Sequence, residues 1–304
     1  MVVLILAACS KEPSIDDTML DSGLHFDQSI YAPERYLVSA FNPNPTPAEA
    51  LRPVIITIHG YGATTFEWDE FRSWAGTRQN NFQISQVLLG GHGRDYQSFK
   101  NSTWKDWQKP IMDEYQKIEQ QGYKNISLAG SSTGSTLIME LLASGYFNQR
   151  LKPKHVFLID PIIVPSNKLL SIAHVVGPFV GYTTVTNTGG EEKFYYNFRP
   201  HETLNELRKV INKVRKDLES GITLPAETTV RVFKADKDDV ADPVSAVLIY
   251  KGIKANNGDA IKVNMVPSRI HVFTRLNLRS ETPSARDVEN QQAAFNEIAA
   301  ELLR

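Results

Sequence analysis

The sequence predicts an α/β fold with a mostly parallel sheet and helices on both of its faces. Continuous apolar runs rich in β-branched residues, such as Val54–Ile58, are typical of strands that are buried on both faces of a parallel sheet. Segments with apolar residues at helical spacing lie between these runs, and strands that alternate with helices form parallel sheets. Because parallel strands end at the same edge, the loops at that edge are expected to form the functional site.

The predicted elements follow in this order along the chain. Strands are predicted at residues 35–41, 54–58, 82–89, 126–129, 155–159, 229–233 and 261–266. Helices are predicted at residues 64–78, 102–120, directly after the turn at 130–134, at 204–218, and from a capping box formed by Ser284 and Asp287. Residues 163–200 interrupt the alternation, because they are rich in glycine, aromatic and small apolar residues without a clear period. We expect a cap over the site there.

Composition excludes several classes of protein. The chain has 304 residues and a net charge of −1, and its positive charges are dispersed, so no nucleic-acid partner is expected. No apolar run reaches the roughly 18 residues that a membrane-spanning helix needs. Cys9 is the single cysteine, so no disulfide can form within the chain.

The N-terminal residues predict a lipoprotein signal. Residues 2–8 are a short apolar run, and Leu6-Ala7-Ala8-Cys9 resembles the lipobox of bacterial lipoproteins. In that family the cysteine is diacylated, so the resemblance implies membrane association through a lipidated Cys9. Ser10 resembles the residue found there in lipoproteins sorted to the outer membrane. Residues 1–20 would then be the signal (1–8) and a tether, and residues 21–304 the folded domain. The alternative is a cytoplasmic protein, since no Lys or Arg precedes the apolar run.

Ser132 is the candidate nucleophile. Residues 130–134 read Gly-Ser-Ser-Thr-Gly between an apolar strand and a predicted helix. In such a sharp turn the serine Oγ is pushed out of the sheet, and only small residues fit two positions before and after it. The alternative is a glycine-rich turn without catalytic function.

A serine nucleophile needs a base, and the base needs an acid that orients it. In a sheet of this topology the chain order is serine, acid and then histidine. Of the seven histidines, only His271 follows both the serine and the cluster of aspartates after the strand at 229–233. The local pattern favours Asp238 as the acid, and Asp236 and Asp160 remain alternatives.

Two backbone amides are candidates for the oxyanion hole, which binds the negative oxygen of the tetrahedral intermediate. One is the amide of Thr133, the residue after the nucleophile. The other is the amide of Tyr61, in the loop that follows the strand at Val54–Ile58. The alternative for this loop is a simple glycine turn.

Together these motifs resemble the α/β-hydrolase superfamily, and within it the bacterial carboxylesterases and monoacylglycerol lipases. The resemblance rests on the sequence around residues 59–62 (HGYG), 91–94 (GHGR), 103–107 (TWKDW), 130–134 (GSSTG), 238–243 (DDVADP) and 269–272 (RIHV). It implies an eight-stranded sheet, a cap and no cofactor or metal. It also implies a serine hydrolase that cleaves short- to medium-chain esters or monoacylglycerol-like lipids. The alternatives are an acyltransferase or peptidase of the same fold, or a surface lipoprotein that binds ligands without catalysis.

Overall fold

The computed structural model describes residues 12–24, 44–78, 81–166, 181–187 and 189–304. Its strands are β1 (Val54–Ile58), β2 (Gln83–Val87), β3 (Ile126–Ser131), β4 (His155–Ile159), β5 (Tyr182–Thr184), β6 (Phe198–Pro200), β7 (Ile222–Thr223), β8 (Thr229–Ala235), β9 (Ile253–Lys254) and β10 (Lys262–Val266). Its helices are α1 (Pro47–Ala50), α2 (Asp69–Thr77), α3 (Tyr96–Lys100), α4 (Trp104–Gln120), α5 (Thr133–Ala143), α6 (His201–Ser220), α7 (Val244–Gly252) and α8 (Ala285–Leu302).

Among the described residues, six strands form the central sheet rather than the eight that the resemblance implies, in the order β10-β8-β4-β3-β1-β2. Every neighbouring pair is parallel. The chain runs from β1 to β2 on one side and then returns to place β3 on the other side of β1. Ligands bind α/β sheets outside the carboxyl ends of the strands at such a reversal. The register aligns Ile58 at the end of β1 with Gly130 in β3, so the loops that follow both strands meet there.

The core lies on both faces of the sheet, as the continuous apolar strands predict. In β1, Val54, Ile56 and Ile58 face one cluster and Ile55 faces the other. Helices α4, α5 and α6 supply buried side chains to the first cluster, and α2 and α8 supply them to the second. A strand that is covered on both sides needs apolar residues at every position, which explains why β1 shows no alternation.

The predicted elements that fall on described residues are present, most of them with shifted ends. The helix predicted at 64–78 is a 3-10 turn, Thr65–Trp68, followed by α2, and the capping box of Ser284 and Asp287 begins α8 as predicted. The strand predicted at 35–41 lies outside the described residues. Within the predicted cap, β5 and β6 pair as an antiparallel hairpin. No helix in the described ranges is long and apolar enough to cross a membrane.

Residues 12–24 contact the folded domain. The carboxylate of Glu12 lies 2.6 Å from the ammonium of Lys100 in α3. The buried carboxylate of Asp21 accepts hydrogen bonds from the backbone amides of Asn197, at 2.9 Å, and Phe198, at 3.1 Å. Residues 12–24 therefore contact both α3 and the hairpin of β5 and β6.

Candidate active site

Ser132 occupies the tight turn between β3 and α5. Its φ of 47° lies in the left-handed region, which is strained for a residue with a side chain. A Cβ on Gly134 would lie 2.4 Å from the carbonyl oxygen of Ile58, and one on Gly130 would lie 2.6 Å from the carbonyl carbon of Gly134. Both glycines are required because the backbone of the turn approaches its neighbours too closely for any side chain. This packing accounts for the motif at 130–134.

His271 lies in the loop after β10 and forms a hydrogen bond with Asp238. Its Nδ1 is 2.7 Å from Oδ2 of the buried Asp238 carboxylate. The carboxylate favours the tautomer with the proton on Nδ1, which leaves Nε2 able to accept a proton. Ser132 and His271 line the same cavity, although no hydrogen bond joins their side chains. Such bonds often shorten only when substrate binds.

The Asp238 carboxylate is held by four donors. Its Oδ1 accepts from the amides of Val240, at 2.8 Å, and Ala241, at 3.0 Å. Its Oδ2 accepts from His271 and from the ammonium of Lys234, at 2.5 Å. Burial raises the pKa of Asp238, but the charges and hydrogen bonds of His271 and Lys234 outweigh burial and hold this pKa below its ordinary value of 3.8. The carboxylate is therefore ionised at neutral pH.

The two alternative acids have other hydrogen-bond partners. Asp160 is buried and accepts from the ammonium of Lys234, at 3.1 Å, and from two backbone amides, at 2.7 and 3.4 Å. Asp236 is exposed and accepts from a backbone amide in the loop after β10, at 3.2 Å. Of the three candidate acids, the structure brings Asp238 into hydrogen-bond contact with His271.

Lys234 is a buried cation that the sequence analysis missed. Its side chain is fully buried at the end of β8, and its Nζ bonds to both Asp160 and Asp238. One ligand atom each of Asp160, Asp238 and His271 lies within 4.8 Å of the others, which is a spacing that metal sites use. The lysine ammonium already contacts both carboxylates there and offsets their charge. The signal in the sequence was a lysine directly after the apolar residues Val232 and Phe233, near the end of strand β8.

The two candidate oxyanion donors follow β1 and β3. Neither the amide of Tyr61 nor that of Thr133 donates to an acceptor within the described ranges, so both are available to a substrate oxygen. Glu67, which the sequence analysis also missed, accepts from the amide of Gly60 at 2.8 Å and from the hydroxyl of Ser131. Its buried carboxylate therefore ties the loop after β1 to the turn that carries the nucleophile.

Other histidines have structural partners. His59 donates from Nδ1 to the carbonyl of Gly60, at 2.8 Å, and accepts at Nε2 from the amide of Leu89, at 3.1 Å. Burial lowers the pKa of His59 to about 4, which keeps this ring neutral as it links the loops after β1 and β2. His155 contacts a threonine hydroxyl and His201 an asparagine amide.

A cavity of about 430 Å³ opens at the Ser132 turn and extends to the hairpin of β5 and β6. Its apolar wall comes from the loop after β4, from α6 and from the loop after β8, and contains Ile162, Leu204, Leu207 and Val240. Its polar wall includes three arginines, Arg199, Arg275 and Arg279. Three acids, Glu67, Glu191 and Asp239, also line it, so the cavity offers both an apolar and a charged surface next to the serine.

Comparisons with known proteins agree with this architecture. No protein-family model matches the chain. A thermostable monoacylglycerol lipase from Bacillus sp. (strain H-257) is 22% identical over 237 residues, which cover 72% of this chain and 83% of the relative.

Two solved structures have the same overall fold. A structure of the metagenome-derived lipolytic enzymes LipS and LipT matches with a TM-score of 0.65 and 17% identity, over 83% of this chain and 94% of that chain. A soluble variant of monoglyceride lipase from Saccharomyces cerevisiae, in complex with a substrate analog, matches with a TM-score of 0.64 and 12% identity, over 85% of this chain and 88% of that chain. The parallel sheet, the turn at Ser132 and these likenesses show that the chain has the α/β-hydrolase fold that its sequence predicts.

Proposed function

We propose that the chain is a serine hydrolase that cleaves carboxylic esters through an acyl-enzyme. The observation that carries the proposal is the hydrogen bond between His271 and the buried, ionised Asp238, beside the cavity that Ser132 lines. A serine hydroxyl is a weak nucleophile at neutral pH, and a histidine held by a carboxylate supplies the base that it needs.

The proposed reaction has two steps, acylation of Ser132 and hydrolysis of the acyl-enzyme, and the same residues act in both. Ser132 Oγ attacks the ester carbonyl carbon while Nε2 of His271 takes the hydroxyl proton. The amides of Tyr61 and Thr133 donate to the resulting oxyanion. The bond from the carbonyl carbon to the alcohol oxygen breaks, and His271 gives its proton to that oxygen. Water then attacks the acyl-enzyme in the same way, which releases the carboxylic acid and regenerates Ser132.

The substrate class follows from the cavity and from the relatives. The names of the Bacillus and yeast relatives describe lipases that act on monoacylglycerols, and the other similar structure is lipolytic. The apolar wall of the cavity suits an acyl chain. We propose short- to medium-chain esters or monoacylglycerol-like lipids as substrates.

Covalent labelling tests the proposed nucleophile. A fluorophosphonate probe is expected to label the wild-type protein and the Ser144→Ala control, which changes a serine at the end of α5. Ser132→Ala is expected to lose the label and to lower the hydrolysis of p-nitrophenyl butyrate by about 10³-fold or more. A label that survives Ser132→Ala would show that another residue is the nucleophile. An unlabelled wild type would favour a binding protein.

A chain-length series separates the remaining activities of this fold. The hydrolysis of p-nitrophenyl esters from acetate to decanoate is expected to peak at short to medium length, as the proposed substrate class requires. Faster cleavage of a p-nitroanilide would favour a peptidase. Transfer of the acyl group to an added alcohol in preference to water would favour an acyltransferase.

We also propose that the chain is a lipoprotein anchored through Cys9 in the outer membrane, with residues 1–8 removed as a signal and residues 21–304 as the hydrolase domain. The support is the sequence Leu6-Ala7-Ala8-Cys9, which lies outside the described residues. Expression with an alkyne-labelled palmitate is expected to label the wild type and not Cys9→Ser. Equal membrane association of the two proteins would contradict the anchor.

A further inference from the structure

Arg199 is a cation in the predicted cap that faces the cavity without an acidic partner among the described residues. It lies in β6, opposite Thr183 of β5, and lines the same cavity as Ser132 and His271. Its Nε is buried and has no hydrogen-bond partner, and no ion pair joins the guanidinium to a carboxylate in the described ranges. The guanidinium lies 5.5 Å from the ring centroid of Tyr61, whose amide is a candidate oxyanion donor.

The other two arginines of the cavity are committed to the protein. Arg275 forms an ion pair with Glu191 at 2.5 Å. Arg279 donates to three backbone carbonyl oxygens, one of which belongs to His271, at 2.6 Å. These contacts stabilise the loop that carries His271, so Arg275 and Arg279 have structural partners within the protein.

The acids that line the cavity leave Arg199 without a direct counter-charge. Glu191 is bound by Arg275, and Glu67 accepts from the amide of Gly60 and the hydroxyl of Ser131. Asp239 is exposed to solvent. The guanidinium lies near the face of the Tyr61 ring, which stabilises its charge, and its buried Nε has no hydrogen-bond partner among the described residues.

Such an arrangement is costly unless a ligand completes it. Burial of a charged group without a counter-ion is unfavourable, and burial lowers the pKa of Arg199, which the nearby Tyr61 and Glu191 partly offset. Arginine nevertheless stays protonated at neutral pH, and its planar fork matches the oxygens of a carboxylate or phosphate. A neutral acyl chain would leave these donors unpaired under the cap.

We infer that the substrate carries an anionic group, a carboxylate or a phosphate, which Arg199 binds under the cap while Ser132 attacks the ester. This inference rests on the proposed hydrolase function and specifies its substrate. The apolar wall of the cavity would hold the hydrocarbon part of the ester, and the guanidinium would hold the charged end. The bound anion would complete the hydrogen bonding of a group that the described part of the chain leaves unpaired.

Matched pairs of esters test the inference. Mono-4-nitrophenyl glutarate and 4-nitrophenyl valerate have acyl chains of equal length that differ in a terminal carboxylate. Monobutyrylglycerol and its phosphate ester place the charge on the alcohol side. For at least one pair, the wild-type kcat/KM is expected to be about 10- to 100-fold higher for the anionic ester, since a hydrogen bond to a charged group has that effect.

The kcat/KM of the anionic ester divided by that of the neutral ester then tests whether Arg199 binds the anion. Arg199→Met is expected to bring the ratio to about one, and Arg199→Lys to retain part of it, since it keeps the charge but not the planar fork. Arg215→Met removes the same charge from the exposed surface of α6 and should leave the ratio unchanged. Because each ratio compares two esters on one protein, a general loss of activity does not affect it.

Three outcomes would overturn the inference. A wild-type ratio near one for both pairs means that no anion is recognised, and this result holds even if Arg199→Met does not fold. A preference that survives in Arg199→Met means that another group binds the anion. Hydrolysis of neither member of either pair, without fluorophosphonate labelling, overturns the hydrolase function itself. Labelling together with ratios near one leaves that function standing and refutes only the role of Arg199.

Discussion

The assignment of the acid can be tested by comparing Asp238→Asn with Asp160→Asn. The two carboxylates share the ammonium of Lys234, but only Asp238 contacts His271. An asparagine at 238 can present its amide N–H₂ to the ring and so favour the tautomer that cannot accept the serine proton at Nε2. We expect kcat/KM to fall by about 10³- to 10⁴-fold, which corresponds to about 4–5.5 kcal/mol of transition-state stabilisation.

Asp160→Asn should act on stability instead. The change removes one of the two carboxylates that offset the buried ammonium of Lys234, and Asp238 remains as its partner. We therefore expect a loss near the lower end of the range for broken buried ion pairs, about 3 kcal/mol, and a kcat within about tenfold of wild type.

The activity measurement is the hydrolysis of p-nitrophenyl butyrate, divided by the fraction of protein molecules that a fluorophosphonate labels. The stability measurement is urea unfolding of both variants. The corrected rate removes unfolded protein from the comparison. If Asp160→Asn lost 10³-fold in corrected rate while Asp238→Asn kept wild-type activity, the assignment drawn from the hydrogen bond to His271 would be wrong.

Two further predictions concern charge and packing. Lys234→Met removes a positive charge next to the carboxylate that faces His271, which favours the imidazolium. We expect the acid limb of the kcat/KM profile to move to higher pH, and a pH profile with an unmoved or lowered limb would contradict this. Gly134→Ala should destabilise the fold by about 3 kcal/mol because its Cβ would lie 2.4 Å from a carbonyl oxygen of β1. Gly76→Ala in α2, where a Cβ meets no atom within 4 Å, should gain about 0.5–1 kcal/mol in urea unfolding, and equal effects would refute the steric argument.

The features that could be predicted from the sequence are those in which a physical constraint acts on residues that are neighbours in the chain. Strand β1 could be predicted because burial on both faces demands apolar residues throughout Val54–Ile58. The turn at Ser132 could be predicted because the close backbone approach admits only glycine at 130 and 134. His271 could be selected because the chain order of this topology leaves one histidine after the acids.

The remaining features depend on contacts between residues that are distant in the chain. The local pattern favoured Asp238 but could not exclude Asp160, because the distance to His271 depends on how β8 and β10 pair. Lys234 was missed because lysine is rarely fully buried, and its partners lie on two different loops. Arg199 was missed because β5 and β6 are only three residues long, too short to show a period.

The contacts of residues 12–24 bear on how the protein would lie at a membrane if Cys9 carries the proposed lipid. Three peptide units join Cys9 to Glu12, whose carboxylate pairs with Lys100. Three residues of extended chain span about 10 Å. Further along, Asp21 binds the backbone of the hairpin that carries Arg199. With a lipid on Cys9, as proposed, α3 would therefore lie close to the bilayer surface.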